Sequence, residues 1–214
     1  MRNTPPPPQT RPIHFAAADN SEELARAELY GLLARLWLGP PDAELLTKFG
    51  VAVTEAPQPG GFLEAPWQAL VSAMRGATPA TAAAEYDALF GGVGKPEVFL
   101  YGSYYLAGFL NEKPLALLRA DLVELGLTRD ETRGETEDHI ACVFEVMRYL
   151  IAGDDVAVSN LERQRRFFRA HVQPWIDKLA DAVEAQPRAA LWREVAALTR
   201  AFVQVETQGF DMLE

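Results

Sequence analysis

Cysteine is almost absent from this chain of 214 residues: Cys142 stands alone. That excludes an intrachain disulfide and any cysteine-based zinc site. Histidine is scarce as well, with three in all. No His-x-x-x-His pair occurs, so zinc would have to draw on His139, His171 and scattered carboxylates. A carboxylate-bridged di-iron bundle needs Glu-x-x-His pairs on two helices. Here Glu135 and His139 are four apart, Arg148 follows Glu145 at the required spacing, and Phe168 precedes His171. No apolar run approaches the roughly 18 residues of a membrane helix. Positive charge is in deficit, with 20 Lys and Arg against 30 Asp and Glu and a net charge of -10. That balance argues against general binding to nucleic acid or anionic membranes and suits a basic partner such as a cationic peptide.

Frames for catalysis are missing too. Ser103 in Tyr101-Gly102-Ser103-Tyr104-Tyr105 lacks the second glycine and the preceding strand of a nucleophile elbow. The loop Gly91-Gly92-Val93-Gly94-Lys95 has no Ser or Thr after its lysine, as a phosphate loop requires, and reads as a turn. Neither a metal nor a required cofactor is expected, and enzymatic activity is not expected. The competing enzyme reading is a nucleotide hydrolase with His139 as base.

What is present is helix-forming material. Apolar residues make up 49% of the chain, enough for a substantial core. Met1-Arg2-Asn3-Thr4 and the prolines Pro5 to Pro8 lack the apolar region of a secretory signal, and predict a disordered arm over residues 1–18. Residues 19–214 then read as one all-α domain of about ten helices. Asn20 or Ser21 can cap a first helix whose Leu29, Leu32, Leu33, Leu36 and Trp37 repeat at helical spacing. Gly39-Pro40-Pro41 stops it. Weaker helices are expected near 42–48 and 62–75, and Pro79 opens one that runs to about Phe90. The aromatic stretch 98–106 mimics a strand with nothing to pair with, so it reads as a loop entering a short helix at Ser103. Pro114 opens a helix that Gly126 closes. Ile140, Val143, Phe144, Met147, Leu150 and Ile151 form the clearest apolar stripe, ended by Gly153, and the lone Cys142 on that helix reads as a buried thiol. Helices near 156–170, 174–186 and 189–209 complete the chain.

The most informative segment is Glu135-Thr136-Glu137-Asp138-His139, where acidic residues and a histidine run into that apolar helix. One reading is local: Thr136 or Asp138 caps the helix and the carboxylates meet its dipole. The other is functional, an acidic lip that grips an arginine-containing peptide through charge-assisted pairs.

At these residues the chain resembles the TorD/DmsD family of redox-enzyme maturation chaperones, to which the NarJ proteins are related. The family's E-P-x-D-H segment stands here with Thr136 in place of its proline. Tyr86-Asp87-Ala88-Leu89-Phe90 is similar to the family's aromatic-x-x-Leu-Phe element, and Leu100 to Leu106 to its aromatic-Gly-Ser segment. Phe167-Phe168 with His171-Val172-Gln173-Pro174-Trp175 resembles a further element, and Leu36-Trp37 an aromatic position late in the first helix. These matches run in the family's order over residues 20 to 210. The resemblance implies a cytoplasmic chaperone, monomeric or homodimeric, that binds the twin-arginine signal peptide, and in some cases the apo body, of a molybdenum-containing oxidoreductase. Export is held back until the cofactor is inserted. Binding of a nucleotide, GTP, without turnover is compatible with it. The implied peptide-binding residues are Trp37, Tyr86, Leu89, Phe90, Tyr101, Ser103, Glu135, Glu137, Asp138 and His139. The alternative within the same resemblance is an assembly factor for an enzyme subunit that does not read the leader.

Overall fold

The computed structural model describes residues 21–51, 61–91, 95–129, 132, 134–153, 155 and 157–212. The arm expected over residues 1–18, the capping candidate Asn20 and residues 92–94 of the glycine loop lie outside them. The described residues form one helical domain: α1 (Ser21–Leu38), α2 (Ala43–Val51), α3 (Glu64–Gly76), α4 (Pro79–Phe90), α5 (Gly102–Ala107), α6 (Lys113–Glu124), α7 (Ile140–Ala152), α8 (Leu161–His171), α9 (Gln173–Glu184) and α10 (Leu191–Asp211). The all-α expectation of about ten helices is met.

Turn and cap chemistry sets most boundaries. Proline at the start and threonine before it define α4: Thr81 N–H donates to Thr78 Oγ1 at 3.2 Å and Thr78 N–H to Thr81 Oγ1 at 2.9 Å, a reciprocal capping box. Gly126 ends α6 with φ +72°, a left-handed conformation that favours glycine, while Leu127 N–H bonds Leu122 O at 2.9 Å. The start expected near 156 for the eighth helix falls at Leu161, because Asn160 Oδ1 accepts from Arg163 N–H and caps the helix there.

The core is built around α1 and α7, which pack on each other more extensively than any other pair. Tyr30 of α1 meets Phe144 of α7 edge-on at a centroid distance of 5.4 Å and Phe202 of α10 at 4.7 Å. Of the stripe read from the sequence on α7, Ile140, Val143, Phe144, Met147 and Leu150 are inaccessible, while Ile151 is half-buried. Burial of a side chain such as Phe144 contributes about 2–3 kcal/mol. Helix α10 lies over α9 and α3 and touches α1 and α4. Its first turn is capped from a distance, by Glu85 of α4. That carboxylate accepts from the backbone N–H groups of Ala190, Leu191 and Trp192 at 2.8, 3.1 and 2.9 Å. The other end of α10 is tied to α1 through a buried ion pair, Arg26 on Glu206 at 2.8 Å through both guanidinium arms, with Tyr30 Oη donating to the same carboxylate at 3.0 Å. Burial alone would lower the Arg26 pKa, but Glu206 outweighs it and holds the guanidinium firmly charged.

Candidate functional site

The aromatic stretch before α5 does find a partner. Tyr101 forms an antiparallel bridge with His139, in which Gly102 N–H donates to Asp138 O and Ile140 N–H to Leu100 O, each at 2.9 Å. One bridge is enough to lock the entry of α5 against the entry of α7. The sequence reading missed it because a single paired residue leaves no alternating pattern. Gly102 sits close under the Trp175 ring: a Cβ at this position would lie 3.2 Å from it, so the ring would have to shift by a few tenths of an ångström.

The caps at this junction are exchanged relative to the local reading. Neither Thr136 nor Asp138 caps α7; His139 does, its Nδ1 accepting from Ala141 N–H at 3.2 Å. Asp138 serves the neighbouring helix. Its Oδ2 accepts from Ser103 N–H at 2.9 Å, and its Oδ1 from the Thr136 hydroxyl at 2.6 Å. The threonine in the family's proline position thus orients Asp138. Two otherwise orphaned N–H groups of α5, on Gly102 and Ser103, end on one residue of the distant segment.

These contacts gather the expected residues into one region, at two depths. Trp37, Leu89, Ser103, Asp138 and His139 are buried, while Tyr86, Phe90, Tyr101, Glu135 and Glu137 are half-buried. Trp37 donates from Nε1 to Thr199 Oγ1 at 3.0 Å and stands edge-on to Phe90 at 5.9 Å. Tyr86 donates to Trp37 O at 3.1 Å and packs against Phe90 at 5.0 Å. Trp192 of α10, not singled out in the sequence, closes this aromatic set at 5.2 Å from Tyr86 and 5.9 Å from Phe90. In the sequence it has no mark beyond its place in the helix expected over 189–209. Ser103 Oγ is occupied as well, accepting from Asn111 N–H at 3.2 Å.

The three carboxylates of the acidic segment have different company. Asp138 is consumed by α5. Glu137 is held by Arg119 in a two-armed pair at 3.0 and 2.9 Å. Burial pushes the Glu137 carboxyl up, but the Arg119 bonds and charge bring it below its ordinary value. Glu135 has no hydrogen-bond or ion-pair partner among the described residues. Its charge acts on the hydroxyls of Tyr86 and Tyr101, and on His139. Burial first, and Glu135 second, push Tyr86 up to about 12 and Tyr101 upward. His139 goes the other way: burial pulls it down to about 4, against the opposing charges of Glu135 and Asp138, so the ring is neutral. It packs edge-on against Tyr101 at 5.2 Å.

Beside this cluster, Glu135 also opens onto a groove of about 670 Å³ between α1, the end of α6 and α7. Cys142 lines it and is half-buried rather than enclosed, since its helix turns that face toward the groove. Among the described residues no three His, Cys, Asp or Glu side chains converge as a metal site requires, and no helix is long and apolar enough to cross a membrane.

The family profile described as nitrate reductase delta subunit matches residues 61–181, more than half of the chain. Chaperone protein TorD of Vibrio cholerae serotype O1, from three strains, is 27% identical over 138 residues. That similarity covers 61% of this chain and 63% of the relatives' length. The profile spans α3 to α9, and with them the two segments that the Tyr101–His139 bridge joins; the chain belongs to the nitrate reductase delta subunit family, to which its TorD/DmsD-like motifs point.

Proposed function

We propose that the protein is a cytoplasmic maturation chaperone that binds the twin-arginine leader of a molybdenum-containing oxidoreductase and holds back its export until the cofactor is inserted. The observation that carries this reading is Glu135, a carboxylate with no partner among the described residues, beside the half-buried rings of Tyr86 and Tyr101. A guanidinium finds there a two-oxygen acceptor and aromatic faces to stack on, the pairing that arginine suits better than lysine. Phe90 continues the aromatic surface. The buried members act beneath it: Trp37 and Leu89 support Tyr86 and Phe90, while Ser103, Asp138 and His139 hold the 134–139 segment in register. Glu137 contributes through its pair with Arg119. On this reading the protein turns over no substrate and needs no cofactor. The relatives' name, chaperone protein TorD, supports it.

The test is titration of the purified protein with a synthetic twin-arginine leader peptide. Binding is expected at micromolar or tighter affinity, weakening as salt rises, with about a tenfold loss in Glu135→Gln. Binding indifferent to both salt and Glu135→Gln would sink the proposal.

A second reading, an assembly factor that grips the body of an enzyme subunit, is favoured by one surface. Around the α5–α6 turn, Leu106, Phe109, Leu110 and Leu117 are all exposed, Phe109 to 71%. Capture of a leaderless client at undiminished yield, lost in Phe109→Ser, would favour it.

A further inference from the structure

A second cavity, of about 560 Å³, lies between α5, α6, α8 and α9 and shares no lining residue with the groove beside Glu135. Its size falls in the range of ligand sites. Leu106, Pro114, Leu117, Leu118, Val143 and Trp175 make most of its wall apolar.

One buried polar group stands among them with a bond unmade. His171 is only 8% exposed. Its Nε2 lies 2.6 Å from Asp121 Oδ2, and the other oxygen of that carboxylate accepts from Arg166 at 3.0 Å. A carboxylate can only accept, so a ring proton sits on Nε2, and Nδ1 of the neutral ring is an acceptor. Nδ1 has no partner among the described residues. Nor is it sealed in, since the fully enclosed side-chain atom without a partner among those residues is Trp192 Nε1. Nδ1 therefore meets the cavity that His171 lines.

An acceptor held in an apolar wall is costly unless a donor reaches it. The neighbouring polar groups do not supply one: Ser103, Asp121 and Asp138 are already bonded elsewhere. Tyrosine answers both demands of the site, with an apolar ring and an O–H at its far tip. Tryptophan carries its N–H on the flank of the ring, and lysine or arginine would bring a charge against an apolar wall.

The surroundings suit a protein partner. Leu106 and Leu117 line the cavity and are exposed, and Phe109 and Leu110, exposed as well, follow Leu106 in the same turn. An apolar collar about a pocket is the setting of an interface anchor. Lys113 also lines the cavity, is exposed, and has no partner among the described residues. In a chain of net charge -10, that ammonium is complementary to a carboxylate beside the anchor.

We propose that this cavity seats a tyrosine side chain of a partner protein, its O–H donating to His171 Nδ1, from an apolar segment that carries a carboxylate for Lys113. The site goes beyond leader recognition, which calls for the opposite charge, and gives the body-gripping reading an anchor point.

Trp175 Nε1 donates to His171 O at 2.7 Å, so the NMR signal of its indole N–H reports on this cavity. The probes are two capped pentapeptides, Glu-Leu-Tyr-Leu-Glu and the same peptide with phenylalanine in place of tyrosine. The tyrosine peptide is expected to shift that signal and to bind about tenfold more tightly than the phenylalanine one, the worth of a hydrogen bond to a buried acceptor. His171→Phe keeps a ring and removes the acceptor, and should bring the two peptides to equal affinity. Should that variant not fold, two exposed positions decide. Ala120→Trp, on the cavity wall, is expected to weaken both peptides about tenfold by filling the space. Lys113→Gln is expected to weaken both about threefold at low salt. Equal affinity of the two peptides for the unaltered protein overturns the assignment, as does binding indifferent to Ala120→Trp, or no binding of either peptide. None of these results touches leader recognition, because the peptides carry no arginine. Client capture lost in Phe109→Ser beside any of them would keep the second reading and remove this anchor from it.

Discussion

Asp138 and Glu135 carry the same charge three residues apart, and substitutions at the two should separate cleanly. Asp138 is buried and accepts bonds from Ser103 N–H and the Thr136 hydroxyl. Removing it leaves a buried donor unmet, so Asp138→Ala is expected to cost about 1.5–3 kcal/mol of stability, measurable by urea denaturation. Any loss of peptide binding in that variant follows from the displaced segment. Glu135→Gln should leave the denaturation midpoint unchanged and remove only salt-sensitive binding. His139 adds a pH dependence whose sign is fixed by its low pKa of about 4. The unfolded chain takes up the proton near the ordinary value of about 6.5, whereas the folded chain resists until about pH 4. Stability therefore falls as pH drops through this window, by up to about 3 kcal/mol, and levels off below it. Denaturation at pH 7 and pH 5 should show the slope, and His139→Asn, which retains a capping side chain, should flatten it.

Among the elements, those with a local cause were legible in the sequence. The α4 start lay in Pro79, the α6 end in Gly126, and the face of α7 in its apolar spacing, so nearly every helix is implied by its own residues and their immediate neighbours. The site's residues were legible as a set only through their motif order. Their division into buried supports and a half-exposed surface was not, because it depends on contacts between segments 35 residues or more apart in the chain. The Asp138 cap on α5, the Tyr101–His139 bridge and the Glu85 cap on α10 are all of this kind. Residue types at one end of such a bond carry no mark of the other. The Glu85 cap offers a direct measurement. Glu85→Ala is expected to unravel the first turn of α10, with about 1–2 kcal/mol lost and hydrogen exchange accelerated at Ala190 to Trp192. Exchange unchanged at those amides would show the cap to be dispensable.

At the scale of the whole molecule, the first and last helices of the domain are tied to each other. Glu206→Ala would leave Arg26 with the Glu23 carboxylate alone and the buried Tyr30 hydroxyl without its acceptor, and a loss of about 3 kcal/mol is expected. Thermal melting should show it as one cooperative transition moved down rather than as a separate step, since α1 is at the centre of the core and not at its edge. The same pair has a consequence in time. Arg26 and Glu206 are 180 residues apart, so during synthesis the first helix emerges with Arg26 paired only to its helix neighbour Glu23 and with an aromatic face that has no cover. Until residue 206 has left the ribosome, α1 cannot settle, and the nascent chain must be kept from other apolar surfaces throughout translation. If the protein is itself a chaperone, it depends for a while on the kind of protection it gives.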